Sequence, residues 1–60
     1  MKTYTMYLRK PGETVAGAFE PVMCADDVEA MGKARALLAG RPELESVDVF
    51  FGDDLLVSVS

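Results

Sequence analysis

Histidine and tryptophan are absent from this 60-residue chain, and cysteine occurs once. Each absence removes a class of chemistry. Without a histidine or a second thiol, neither a structural zinc site nor an intrachain disulfide can be assembled. Cys24 has no imidazole to activate it, and no G-x-G-x-x-G or Walker pattern is present, so catalysis is not expected. Cations are also scarce: six Lys and Arg stand against ten Asp and Glu, a net charge of −4. Phosphate backbones and anionic membranes are bound by clustered cations, and Arg9-Lys10 is the only adjacent basic pair, so neither nucleic acid nor membrane is an expected partner. No apolar run nears the ~20 residues that cross a bilayer, and the start MKTYTMYLRK has no apolar core of a secretory signal. Together with the lone thiol, this points to a reducing cytoplasm. No cofactor and no metal are expected.

What is present favours a folded domain, since 50% of residues are hydrophobic and only 27% charged. Stability is another matter. Area scaling gives a chain of this mass roughly 9,400 Å² unfolded and about 3,800 Å² folded. If about 60% of the buried area is apolar, burial contributes ~85 kcal/mol, against ~90 kcal/mol for ordering the chain. The two cancel, and small domains offset such a deficit with disulfides, metals or self-association. Only self-association is open to this composition.

The hydrophobic pattern predicts one α+β domain over residues 1–60 in the order ββαββ. TYTMYLR at 3–9 alternates, with Tyr4, Met6 and Leu8 on one face and Thr3, Thr5, Tyr7 and Arg9 on the other. KPGET carries turn punctuation, and VAGAFEPVMC at 15–24 reads as a second strand, which Pro21 requires to lie at an edge or to carry a bulge. Asp26 and Glu29 make a capping-box pattern ahead of a helix over 27–39, with Ala30, Met31, Ala34, Leu37 and Leu38 in its apolar stripe. Gly40 is the expected left-handed stop, with Pro42 beyond it. The last fourteen residues, VDVFFGDDLLVSVS, read as a hairpin turning at Gly52-Asp53 or Asp53-Asp54. Strict alternation assigns Val47, Val49, Phe51 and Leu56 to one face of this hairpin, and Phe50, Leu55, Val57 and Val59 to the other. A right-handed crossover predicts the strand order 2-1-3-4.

Several stretches carry a resemblance: Tyr4, Tyr7 and Leu8, Gly12 and Gly17, A25-D26-D27-x-E29-A30, A34-R35-x-L37-L38, and V47-x-V49-F50-x-G52-D53-x-L55-L56-V57. Over nearly the whole chain this pattern resembles a group of short, uncharacterised bacterial ββαββ proteins. Members usually carry a more polar residue where Phe51 stands, and often tryptophan at the place of Phe50. The resemblance implies a fold and no activity.

The acidic clusters are explained without ligands. Gly52, Asp53 and Asp54 suit a turn, and Asp26-Asp27 suit a helix start. Glu43, Glu45 and Asp48 suit the shielding of a strand from aggregation. Cys24 is expected to be a buried, inert thiol, and Tyr4 and Tyr7 to divide between core and surface. One helix covers one sheet face, which leaves Phe50, Leu55, Val57 and Val59 as a candidate interface, with a homodimer as the expected partner state. Two further function classes fit the composition. One is a peptide-binding module that adds a partner strand to the fourth strand, expected at the sheet edge. The other is an acidic regulator or nucleic-acid mimic of the kind mobile elements carry, for which only the −4 charge speaks.

Overall fold

Tyr4, Met6 and Leu8 recur at every second position, and in the computed structural model, which describes Met1–Ser60, all three are buried. They belong to β1 (Lys2–Arg9), the first of four strands. β2 (Ala18–Cys24) returns antiparallel to it after a turn in which Pro11 presets φ and Gly12 takes φ +87°. Helix α1 (Asp27–Gly40) follows, then β3 (Ser46–Phe51) and β4 (Asp54–Val59). The sheet order is β2-β1-β3-β4 with every neighbour antiparallel, as the crossover rule predicts, and Pro21 lies on edge strand β2.

The helix start follows its capping chemistry. Asp26 Oδ1 accepts from the Glu29 amide at 2.9 Å, and Glu29 Oε1 accepts from the Ala25 amide at 3.0 Å, one residue further back than in the standard box. The helix end departs from expectation. Gly40 stays within the helix, and the cap is Arg41, at φ −131° and ψ 85°. Its cause is Pro42, whose ring pushes the preceding residue out of helical space and so stops the helix without a left-handed glycine.

Packing is confined to one side of the sheet. Ala30 and Ala34 are the buried helix residues, and their short side chains let α1 lie close over Tyr4, Met6, Leu8, Cys24, Val47 and Val49. Leu44 closes one end of this core, while Val22, Leu37 and Leu38 flank it. The Tyr4 hydroxyl donates to Asp27 Oδ1 at 2.6 Å, fastening β1 to the first turn of α1. Lys33 Nζ donates to the Met23 carbonyl at 3.0 Å, fastening the helix to β2. The molecule measures 33 × 23 × 15 Å, and its thin dimension holds one helix layer on one sheet layer and nothing beyond.

The β3-β4 hairpin corrects the alternation reading. Its turn is Gly52-Asp53, with φ +62° at Gly52 and no positive φ at Asp53, the Gly-X pattern of a two-residue hairpin. Phe51 then faces Asp54 and Phe50 faces Leu55, but Val49 faces Val57. Leu56 is the extra residue of a β-bulge. Unbroken alternation would set Leu56 and Ser58 opposite Val49 and Val47, placing a hydroxyl under the helix and two valines in solvent. The bulge reverses this. Val57 and Val59 turn to the helix side and pack on the core, while Ser58 comes opposite Asp48 and donates to its Oδ1 at 2.6 Å.

Candidate functional site

The side of the sheet that α1 leaves bare is built from the alternate residues of the same strands. Thr3, Thr5, Tyr7 and Arg9 of β1 are its spine. Register sets Phe19 of β2 beside Tyr7, Phe50 of β3 beside Thr5, and Leu55 of β4 beside Phe50. Phe19, Tyr7, Phe50 and Leu55 thus make an apolar row crossing all four strands. The Tyr7 ring lies 5.8 Å from Phe19 and, edge-on, 5.1 Å from Phe50. These are ordinary aromatic packing distances, so the row is a continuous surface rather than separate side chains. It is open to solvent: Phe19 is 63% exposed, Leu55 55% and Tyr7 36%.

Polar groups border this row in fixed positions. Asp48, directly across from Tyr7, is engaged by Ser58, and Arg9 Nε donates to the buried Ser46 Oγ at 3.0 Å. A shallow trough of about 340 Å³ runs over Tyr7 and Phe50, from Arg9 to the Gly52-Asp53 turn. The loop Thr14–Ala16 forms its flank, and Val15 there is 75% exposed. Chemically, the face offers apolar contact with one cation and a few carboxylates.

The four residues read from sequence as an interface therefore divide. Phe50 and Leu55 stand on the bare face, whereas Val57 and Val59 are carried to the helix side by the bulge at Leu56 and cannot take part. Two residues of the row were not in that group. Tyr7 carried a signal, being on the strand face opposite Tyr4. Phe19 carried none, because its place beside Tyr7 depends on how many residues the loop from Lys10 to Gly17 consumes.

The remaining candidates have structural surroundings. Cys24 is fully buried at the end of β2. Tyr4 holds its proton tightly: the hydrogen bond to Asp27, then burial, then the Asp27 charge push its pKa up to about 12. Glu43 sits below the usual carboxylate range, first through a bond to its own backbone amide and then through Arg41, whose Nε donates to it at 3.1 Å. Arg41 also reaches Glu20 at 3.4 Å. No three Asp, Glu or Cys side chains converge as metal ligands would, and the helix is neither long nor apolar enough to cross a membrane. Comparison with family models, with curated proteins and with solved structures finds no match for this chain.

Proposed function

We propose that this protein is a non-enzymatic interaction protein that works as a homodimer, joined through the bare face of its sheet. The observation that carries the reading is the row Phe19-Tyr7-Phe50-Leu55, apolar from one sheet edge to the other and lying where the chain has no second layer. Monomeric domains seldom expose a contiguous patch of this kind without using it. Size supports a modest assembly. Four strands at ~4.8 Å by six residues at ~3.3 Å give a face of about 400 Å² in plan. With side-chain relief, two copies bury roughly 1,000 Å², the lower bound for a specific interface. A second copy is the partner favoured because a twofold arrangement lets one apolar patch cover itself and closes without forming filaments.

Sedimentation equilibrium tests the reading. The wild type is expected to move from the 6.5 kDa chain mass toward twice that value as concentration rises through the micromolar range. Leu55→Lys and Phe19→Lys, both at exposed positions, are expected to hold the chain at the monomer mass while leaving its circular dichroism unchanged. A wild type that stays at 6.5 kDa into the millimolar range contradicts the proposal.

A further inference from the structure

The two ends of the trough carry opposite charges. Arg9 is the one Lys or Arg among the paired strand residues of the bare face, and its guanidinium makes no ion pair within the chain, where Lys33 and Arg41 account for every salt bridge. At the other end, Asp53 is also without a cation. Cross-strand register fixes their levels. Arg9 pairs with Ser46, Tyr7 with Asp48 and Thr5 with Phe50, so Gly52, two residues past Phe50, falls at the level of Thr3. Midway between the Thr5-Phe50 and Tyr7-Asp48 pairs is the centre of the aromatic row. From that level, Arg9 lies three residues one way and the Gly52-Asp53 turn three residues the other, each about 10 Å along the strands.

We infer that two copies meet with their strands antiparallel about a twofold axis crossing that central level, so that Arg9 of each copy lies over the Gly52-Asp53 turn of the other and pairs with Asp53. This rests on the homodimer proposed above and specifies its register. A rotation about such an axis exchanges the two ends of the trough and sets positive on negative twice per dimer, while the Tyr7-Phe50 floors meet at the middle. Asp48 is not the partner of Arg9. It is one residue from the axis, is already engaged by Ser58, and the rotation carries it over the Thr5-Phe50 pair. Parallel alignment, by contrast, places Arg9 near Arg9 and Asp53 near Asp53. Charge thus selects between two arrangements that apolar contact alone would accept.

Charge reversal tests the register. At physiological salt, where the long-range repulsion between two copies of charge −4 is screened, Arg9→Glu and Asp53→Arg are each expected to weaken the dimer about tenfold. The variant carrying both is expected to return to within about threefold of the wild type, because each pair is rebuilt with its signs exchanged. A cross-link gives a second readout that does not depend on energies. Mixing the Arg9→Cys and Asp53→Cys proteins under mild oxidation is expected to yield the mixed 9–53 disulfide ahead of either like pair, Cys24 being buried. A wild-type dimer that ignores the single reversals, or whose double variant is weaker than either single one, overturns the register while leaving the homodimer standing. So does preferential 9–9 cross-linking. A wild type that never dimerises removes the homodimer itself.

Discussion

Replacing Val57 and Leu55 separately by lysine measures the bulge on which the assignment of faces depends. Both are valine or leucine in the same strand, two residues apart, and unbroken alternation would give them the same surroundings. The structure gives them opposite ones. Val57 faces Val49, is half-buried and packs on the core, whereas Leu55 lies across from Phe50 on the bare face and is 55% exposed. In the isolated chain, Val57→Lys loses about 1 kcal/mol of apolar burial. It also brings an ammonium group to a site beneath the helix, which β4's position at the sheet edge lets the long side chain partly escape, at a further cost of ~1–2 kcal/mol. A loss of roughly 2–3 kcal/mol follows for Val57→Lys, against ~0.5 kcal/mol or less for Leu55→Lys at its exposed site. Urea denaturation at low micromolar concentration, where the copies are largely separate, reads the difference. With a slope near ~1 kcal/mol/M for so small a chain, the midpoint falls by about 2–3 M for the first variant and under ~0.5 M for the second. Equal shifts would mean that Val57 shares the environment of Leu55, and the bulge at Leu56 would be refuted.

Asp26→Ala removes the side-chain acceptor of the Glu29 amide and is expected to cost about 1 kcal/mol, read as a lower denaturation midpoint; an unchanged midpoint would place the helix start elsewhere. Tyr4 makes stability depend on alkaline pH. Its pKa is raised in the folded chain from 10.0 to about 12, so as pH rises the unfolded chain loses the proton first. That contribution is complete below pH 10 and is lost as pH climbs toward about 12, and Tyr4→Phe should be less stable than the wild type at neutral pH yet lose less over this window. Parallel loss in both proteins would exclude the Tyr4-Asp27 bond as the cause. Cys24, fully buried, should react with a thiol reagent only as fast as the domain opens, so labelling should accelerate steeply with urea; rapid labelling of the native protein contradicts its place in the core.

Local chemistry made most of the fold legible. The alternation from Tyr4 to Leu8, the Asp26-Glu29 cap, the Pro11-Gly12 and Gly52-Asp53 turns and the crossover rule predict each element and the observed strand order. Two features escaped. A β-bulge has no residue type of its own, and the one at Leu56 exists because of what lies across from it: Val47 and Val49 require apolar partners beneath the helix, and Asp48 takes a hydroxyl. The helix stop escaped because Gly40 and Pro42 both signal an end and only the backbone decides which acts first. The candidate surface was half legible. Phe50 and Leu55 follow from alternation next to the turn, where no bulge has yet intervened. Phe19 completes the row only through the β1-β2 register, a property of a loop whose length the sequence leaves open.

The homodimer is tested most directly by where the contacts between two copies fall. In an NMR sample mixing isotope-labelled and unlabelled chains, only contacts between copies connect labelled with unlabelled protons. The bare-face dimer predicts such contacts from the side chains of Phe19, Tyr7, Phe50 and Leu55, with none from Val57 or Val59. Contacts running instead along the backbone of Asp54–Val59 would show pairing through the β4 edge, and spectra without intermolecular contacts at millimolar concentration would show that no dimer forms; either result contradicts the assignment of the bare face.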